Sequence, residues 1–234
     1  MNENLIPRVV AEFIGTFALL FAGAGTAAAL VGVATAPSAN LVAIALAHGL
    51  VIGLMVAAVW HISGAHFNPA VTLGMLVTGR IRALTAVFYW LAQLAGAVVA
   101  VLLLRAVIPQ GAHRLKLSLL EPGVNVAPLD AMVVEAVITF FLVWVIFGTL
   151  VDSRSAFKSA GPLAVGAAYA VGIFAASLLT GGALNPARSL GPEIVLGKFG
   201  DWWIYVAGPF FGAAIGALLY EYLVLDQLHD GTKA

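Results

Sequence analysis

The sequence predicts an all-α membrane protein with six transmembrane helices and two re-entrant half-helices, arranged as an inverted internal repeat. Three observations lead to this fold class, and the first is composition. Hydrophobic residues make up 62% of the 234 residues, charged residues make up only 9%, and the mean hydropathy is +1.04. A soluble domain has about a quarter of its residues charged. The other two observations are a set of long apolar segments and a motif, Asn-Pro-Ala, that occurs twice.

Six apolar segments are long enough to cross the hydrocarbon core of a bilayer, which needs about 20 helical residues. The first is too long for a signal peptide, so we interpret it as a retained span. The predicted spans cover residues 9–31, 41–60, 84–107, 131–151, 162–179 and 202–224.

An even number of spans places both termini on one side of the membrane. The basic residues favour that side weakly, so we expect cytoplasmic termini in a plasma (cell inner) membrane. The side of the termini carries Arg8, Arg80, Arg82, Arg154, Lys158 and Lys233, and the other side carries Arg105, Arg114, Lys116 and Lys198. The formal net charge is zero, which gives no indication of a nucleic-acid partner.

The Asn-Pro-Ala motif predicts the start of a helix in both places. Asparagine is a favoured N-cap residue, and proline is favoured at the first helical position, where its missing N–H costs nothing. The apolar runs that follow are too short to cross a membrane, so each predicts a half-helix. The two copies are Asn68, Pro69 and Ala70, and Asn185, Pro186 and Ala187.

The two halves of the chain match in sequence and predict one domain, residues 1–234, made of two repeats. Glu12 of the first span matches Glu135 of the fourth, and the two motifs match at nearly the same offset. The repeats cover about residues 5–115 and 129–225, each with three spans. Because three is odd, the second repeat enters the membrane from the opposite side. In proteins built from such inverted repeats, the functional site is expected at the midplane of the bilayer. The two half-helices should meet there at Asn68 and Asn185.

The two motifs, Arg188 directly after the second, and the paired glutamates resemble the aquaporin (major intrinsic protein) family over nearly the whole chain. The resemblance implies a passive channel for water that excludes protons and ions, with no cofactor. It also implies a homotetramer in the lipid bilayer. In that family a ladder of backbone carbonyls lines the path, and here it corresponds to Gly64, Ala65, His66, Gly181, Gly182 and Ala183.

The family also has an outer constriction, whose four positions correspond by spacing to His48, Ile173, Gly182 and Arg188. Water-selective members typically carry Phe, His, a small residue and Arg there. Glycerol facilitators typically carry Trp, Gly, Phe and Arg followed by Asp, whereas Ser189 follows the arginine here. The set is similar to that of the plant vacuolar aquaporins that pass ammonia.

This set of four residues predicts a wider opening that passes water and ammonia, with urea and glycerol as further candidates. The alternative is a strictly water-selective channel, and a glycerol facilitator is less favoured. In the plant ammonia channels a histidine from the third loop joins the constriction. His113 lies in the corresponding loop and is a candidate for that place.

Functions of other classes remain open as alternatives. Glu12 and Glu135 are intramembrane carboxylates, which could carry protons in a secondary transporter. We favour a structural role, in which they accept backbone N–H groups of the re-entrant loops. A junction or adhesion protein is a further alternative, because that function would require little more than the fold. An enzyme is not expected, because no nucleophile and base set appears, and His61 and His66 lack the further ligands of a metal site.

Overall fold

The computed structural model describes residues 4–30, 37–156 and 158–226, and within them the regular structure is helical. Lys233, which was assigned to the cytoplasmic side, lies outside these ranges. The helices of the first repeat are α1 (Leu5–Ala29), α2 (Pro37–Ser63), α3 (Pro69–Val77) and α4 (Ala83–Val107). The short α5 (Gly111–Arg114) connects the repeats. The helices of the second repeat are α6 (Pro128–Ile146), α7 (Gly161–Ala176), α8 (Pro186–Leu196) and α9 (Ile204–Tyr220).

Five helical segments of the described ranges are long and apolar enough to cross a membrane, and they correspond to five of the predicted spans. A π-helical turn extends α6 to Val151 and another extends α9 to Leu225. The remaining predicted span, 162–179, corresponds to α7, which has 16 residues and ends earlier, at Ala176. The Ala176 carbonyl accepts from the N–H groups of Thr180 at 2.8 Å and Gly181 at 3.1 Å. This turn directs the chain into the second re-entrant loop.

The two half-helices α3 and α8 begin where the Asn-Pro-Ala motifs predicted. Both have proline at the first helical position and asparagine as the N-cap. The α8 helix ends at Leu196, and its C-cap is Gly197, whose φ of +64° lies in the left-handed region. Glycine adopts this conformation at little cost, so it is a common helix terminator.

The two repeats pack against each other through their half-helices. Within each repeat the first and last long helices pair, α1 with α4 and α6 with α9. Each half-helix packs against the last helix of the other repeat, so α3 contacts α9 and α8 contacts α4. Gly208, Gly212 and Gly216 of α9 face α6 so closely that an added Cβ would approach its backbone carbonyls. Small residues of this kind allow close helix packing in a membrane.

The outer surface of the helices is apolar. Large side chains such as Leu91 (62% exposed), Leu163 (63%) and Phe211 (59%) point away from the rest of the chain. The buried residues include polar ones, among them Glu12, Gln93 and Glu135, each fully buried. An apolar outer surface with polar groups in the interior is typical of a protein embedded in a lipid bilayer.

Candidate functional site

The first re-entrant loop, residues 64–67, joins α2 to α3 without helical structure. Gly64, Ala65 and Phe67 have positive φ values of +83°, +46° and +50°. Such values are uncommon outside glycine and tend to occur at functional sites. Asn68 then takes an extended conformation, with φ of −155°. Its Oδ1 accepts from the N–H of Ala70 at 2.8 Å, which caps α3.

The second re-entrant loop, residues 181–184, repeats this geometry before α8. Gly181, Gly182 and Leu184 have φ values of +78°, +67° and +56°. Asn185 has φ of −152°, and its Oδ1 accepts from the N–H of Ala187 at 2.9 Å. The same succession of left-handed residues and an extended asparagine therefore precedes both half-helices.

The N-termini of the two half-helices meet through their capping asparagines. The Nδ2 of Asn68 donates to the carbonyl of Leu184 at 2.8 Å, and the Nδ2 of Asn185 donates to the carbonyl of Phe67 at 2.9 Å. A primary amide has two N–H groups. Each asparagine therefore uses one N–H to hold the opposite loop and keeps a second at the point where the half-helices meet.

Glu12 holds the first loop from α1. Its Oε1 accepts from the Ser63 hydroxyl at 2.7 Å and the His66 N–H at 2.9 Å. Its Oε2 accepts from the Phe67 N–H at 2.6 Å and from Gln93 Nε2 at 2.8 Å. All of these atoms are donors to one buried carboxylate, which is the arrangement a charged or polar group requires to be stable away from water.

Glu135 holds the second loop in the same way from α6. Its Oε1 accepts from the Thr180 hydroxyl at 2.6 Å and the Ala183 N–H at 2.8 Å, and its Oε2 accepts from the Leu184 N–H at 2.9 Å. Both glutamates thus bind the two backbone N–H groups that directly precede the asparagine. Contacts of this kind fit the structural role better than that of a mobile proton carrier.

The carbonyl groups of the loops differ in whether the protein already uses them. The carbonyl of Ala183 accepts from the Tyr169 hydroxyl at 3.0 Å. In the described ranges no protein donor reaches the other five carbonyls of the predicted ladder. Those five, which remain available as acceptors, belong to Gly64, Ala65, His66, Gly181 and Gly182.

The four residues assigned to the outer constriction form two contacting pairs. The Arg188 Nε donates to His48 Nε2 at 3.0 Å, and the His48 ring stacks on Tyr169 with centroids 6.3 Å apart. Ile173 and Gly182 are in contact, because a Cβ added at Gly182 would lie 2.8 Å from the Ile173 Cα. Arg188 is 7% exposed, and its Nη1 is buried with no hydrogen-bond partner in the described part of the chain.

Comparison with known proteins decides the family. The model of the major intrinsic protein family matches residues 2–220. The chain is 42% identical to aquaporin TIP4-4 of Zea mays, over 97% of this chain and 90% of that protein. The chain belongs to the major intrinsic protein family. It is therefore an integral, multi-pass membrane channel and not an enzyme.

A second relative supports this assignment, and a solved structure shows the same fold. Probable aquaporin TIP3-2 of Arabidopsis thaliana is 37% identical over 98% of this chain and 88% of that protein. The aquaglyceroporin of Plasmodium falciparum has the same fold, with a TM-score of 0.86 over 97% of this chain and 99% of that chain, at 24% identity.

A residue that the sequence did not indicate lies beside the pair of His48 and Arg188. A cavity of about 20 Å³ is lined by His48 and Arg188, by small residues of α1, and by Ser118 of the turn after α5. His113, the candidate from this connection, is exposed on α5 and does not line the cavity. A serine in a connection carries no sequence signal that would have singled it out.

The opposite side of the channel opens into a vestibule of about 660 Å³. Arg8 lies on its wall, and its Nε donates to the Tyr89 hydroxyl at 2.9 Å. The His66 Nδ1 pairs with the Thr72 hydroxyl at 3.0 Å, and His61 is exposed on the vestibule wall. Among the described residues no group of three metal-ligating side chains occurs. Both histidines line this vestibule.

Proposed function

We propose that the chain is a passive channel for water and ammonia that excludes protons and ions. It acts as one channel domain of two inverted repeats, assembled as a homotetramer in the bilayer with both termini cytoplasmic. The expected plasma-membrane location is not retained, because the TIP aquaporins that the chain resembles give it no support. The proposal therefore specifies a topology but no particular membrane.

The outer constriction is the observation that carries this proposal. Arg188 Nη1 is a buried N–H donor without a protein acceptor, beside a cavity of about 20 Å³. A cavity of roughly 10–15 Å³ is enough for one water molecule. Water and ammonia are similar in size, and both have a lone pair that can accept this N–H. Urea and glycerol are several heavy atoms larger and would not fit this cavity, which Ile173 and Gly182 do not line, so we propose water and ammonia as the main solutes.

The charges along the path support rejection of cations. The N-terminus of each half-helix carries roughly half a positive charge, and the two N-termini meet at Asn68 and Asn185. The amide N–H groups there attract the oxygen of a passing water, which turns its hydrogens away from the meeting point. That orientation interrupts a proton wire, and the positive charges repel hydronium and ammonium.

The hydrogen bond between Arg188 and His48 determines the form in which ammonia passes. His48 Nδ1 lies 2.8 Å from the Ile44 carbonyl, so it carries the proton, and Nε2 accepts from Arg188. The imidazole then has no lone pair left to take a proton from ammonium. Ammonia consequently crosses as the neutral molecule, and the charged form is rejected at Arg188.

A flux assay in proteoliposomes tests the proposal. We expect the wild-type protein to raise water permeability, and to raise ammonia permeability, measured as internal alkalinisation, above the lipid background. The double substitution His48→Phe with Ile173→His should reduce ammonia flux at least about tenfold relative to water flux, which is a barrier difference of about 1.4 kcal/mol.

The strictly water-selective channel is the second candidate, favoured by the small cavity. A wild-type protein that conducts water but no ammonia above the lipid background would establish it and exclude ammonia from the proposal.

Arg188→Val provides an independent measurement, since removal of the charge should retain water flux and admit protons and larger solutes. Arg82→Val, at an exposed arginine outside the constriction, is the matched control and should leave all fluxes unchanged.

A further inference from the structure

Groups from α2, α7 and α8 contact the imidazole ring of His48. Its Nδ1 is bound to the Ile44 carbonyl at 2.8 Å, and its Nε2 accepts from Arg188 at 3.0 Å. One face stacks on the Tyr169 ring, with an angle of 8° between the planes. The position of the ring is therefore determined by three separate contacts, and the side that remains faces α1.

Gly23 of α1 occupies that remaining side. A Cβ added at Gly23 would lie 2.5 Å from His48 Cδ2 and closer still to Nε2 and Cε1. Carbon atoms in proteins do not approach so closely, so the ring or the helix would have to move. Gly23 lies within α1, in ordinary helical conformation, where glycine costs up to about 1 kcal/mol relative to alanine. The backbone conformation at position 23 does not require glycine, so the close contact with His48 is the reason for a glycine there.

We propose that Gly23 is a positioning residue for the outer constriction. By leaving room for the His48 ring, it allows Nε2 to reach Arg188 and keeps open the cavity that all three residues line. This inference rests on the proposed function of the constriction and extends it to α1, which supplied none of the four residues assigned to the constriction from the sequence. The identity of residue 23 thereby determines how His48 and Arg188 are presented to the solute.

Gly23→Ala should affect flux through two linked changes. The new methyl group would occupy much of a cavity of about 20 Å³. It would also push the ring away from α1, and because Ile44 and Tyr169 limit the other directions, the ring moves toward the path and loses its geometry with Arg188. We expect water permeability per folded channel to fall about tenfold.

A double-mutant cycle distinguishes this role from a general effect on α1. His48→Ala removes the ring that the methyl group would meet, so water flux in Gly23→Ala with His48→Ala should equal that of His48→Ala within about twofold. Coupling of this kind is expected only for residues in contact. Gly25→Ala is the matched control on the same helix, since its Cβ would meet the flexible Leu104 side chain at 3.2 Å, and it should leave flux unchanged.

Each outcome of the cycle supports or overturns the inference. If Gly23→Ala does not yield folded protein but the double variant does, the contact with His48 is supported. Wild-type flux in folded Gly23→Ala overturns the inference, as does an equal loss of flux with and without the His48 ring. So does a failure of both variants to fold. Because water flux is the readout, the cycle remains informative even if ammonia proves not to be a solute.

Discussion

The two re-entrant loops have nearly the same backbone and different side chains. Each has left-handed residues followed by an extended asparagine, and each is held by one glutamate. A tyrosine supports each loop as well, with Tyr89 donating to the Ser63 carbonyl at 2.7 Å and Tyr205 to the Thr180 carbonyl at 3.1 Å. The scaffold that brings the half-helices together is therefore duplicated down to individual hydrogen bonds.

The differences between the loops lie in the residues that surround this scaffold. Arg188 follows the second motif, and Val71 occupies the matching place after the first. Gln93, which donates to Glu12, has Pro209 as its counterpart in the second repeat. The duplicated backbone thus forms the midpoint of the channel, and the unmatched side chains give each mouth its own chemistry.

The largest effect is expected when either glutamate is removed. Glu12→Ala and Glu135→Ala each leave two backbone N–H groups buried without an acceptor, at a cost of about 1–3 kcal/mol for each group. Glu12→Ala should be the more damaging, because it also removes one of the two acceptors of Gln93 Nε2, the other being Thr72 Oγ1. The loss should appear as a lower midpoint of thermal unfolding and a lower yield of folded protein in detergent.

Glu121→Ala, at an exposed carboxylate in the connection between the repeats, is the control and should unfold like the wild type. A Glu135→Ala protein less stable than Glu12→Ala would contradict the ranking. It would show that Gln93 contributes little to the first loop.

A smaller and symmetrical effect is expected from the capping asparagines. Asn68→Asp and Asn185→Asp keep the oxygen that caps the half-helix, but they lose the N–H that binds the opposite loop and add a negative charge. At a few ångströms this charge offsets the positive helix ends by several kcal/mol, so cation conductance should rise at least about tenfold in both variants.

The comparison of interest is whether the two aspartates behave alike, as the matched geometry predicts. Conductance is measured in planar bilayers, with Asn125→Asp as an exposed control for the same chemical change. Conductance equal to that of the wild type in fully expressed Asn185→Asp would exclude the amide from the cation barrier.

The smallest effect concerns a buried carboxyl group in the second half-helix. Glu193 is 3% exposed, its Oε2 has no hydrogen-bond partner among the described residues, and its counterpart in α3 is Leu76. Burial of an unpaired polar group is unfavourable by about 1–3 kcal/mol, so Glu193→Leu should raise the unfolding midpoint. Leu76→Glu is the reverse change and should lower it. A destabilised Glu193→Leu protein would indicate that the carboxyl group has a stabilising partner.

Much of this architecture could be predicted from sequence because it depends on local patterns. Hydropathy located the long helices, and the pairing of asparagine with proline located the starts of α3 and α8. Hydrogen bonds between distant groups could not be predicted in this way. His48 and Arg188 are 140 positions apart, and their contact depends on side-chain rotamers and on the space left by Gly23. The end of α7 at Ala176 similarly depends on a turn that tertiary contacts stabilise.

The hydrogen bonds from each capping asparagine to the opposite re-entrant loop have a consequence for how the chain folds. The Nδ2 of Asn68 binds the Leu184 carbonyl and the Nδ2 of Asn185 binds the Phe67 carbonyl, and α3 and α8 each pack against a helix of the other repeat. Contacts so distant in sequence form late, because the intervening chain must be ordered first. We therefore expect the first re-entrant loop to gain its bond from Asn185, and α3 its packing against α9, only after the second repeat has entered the bilayer.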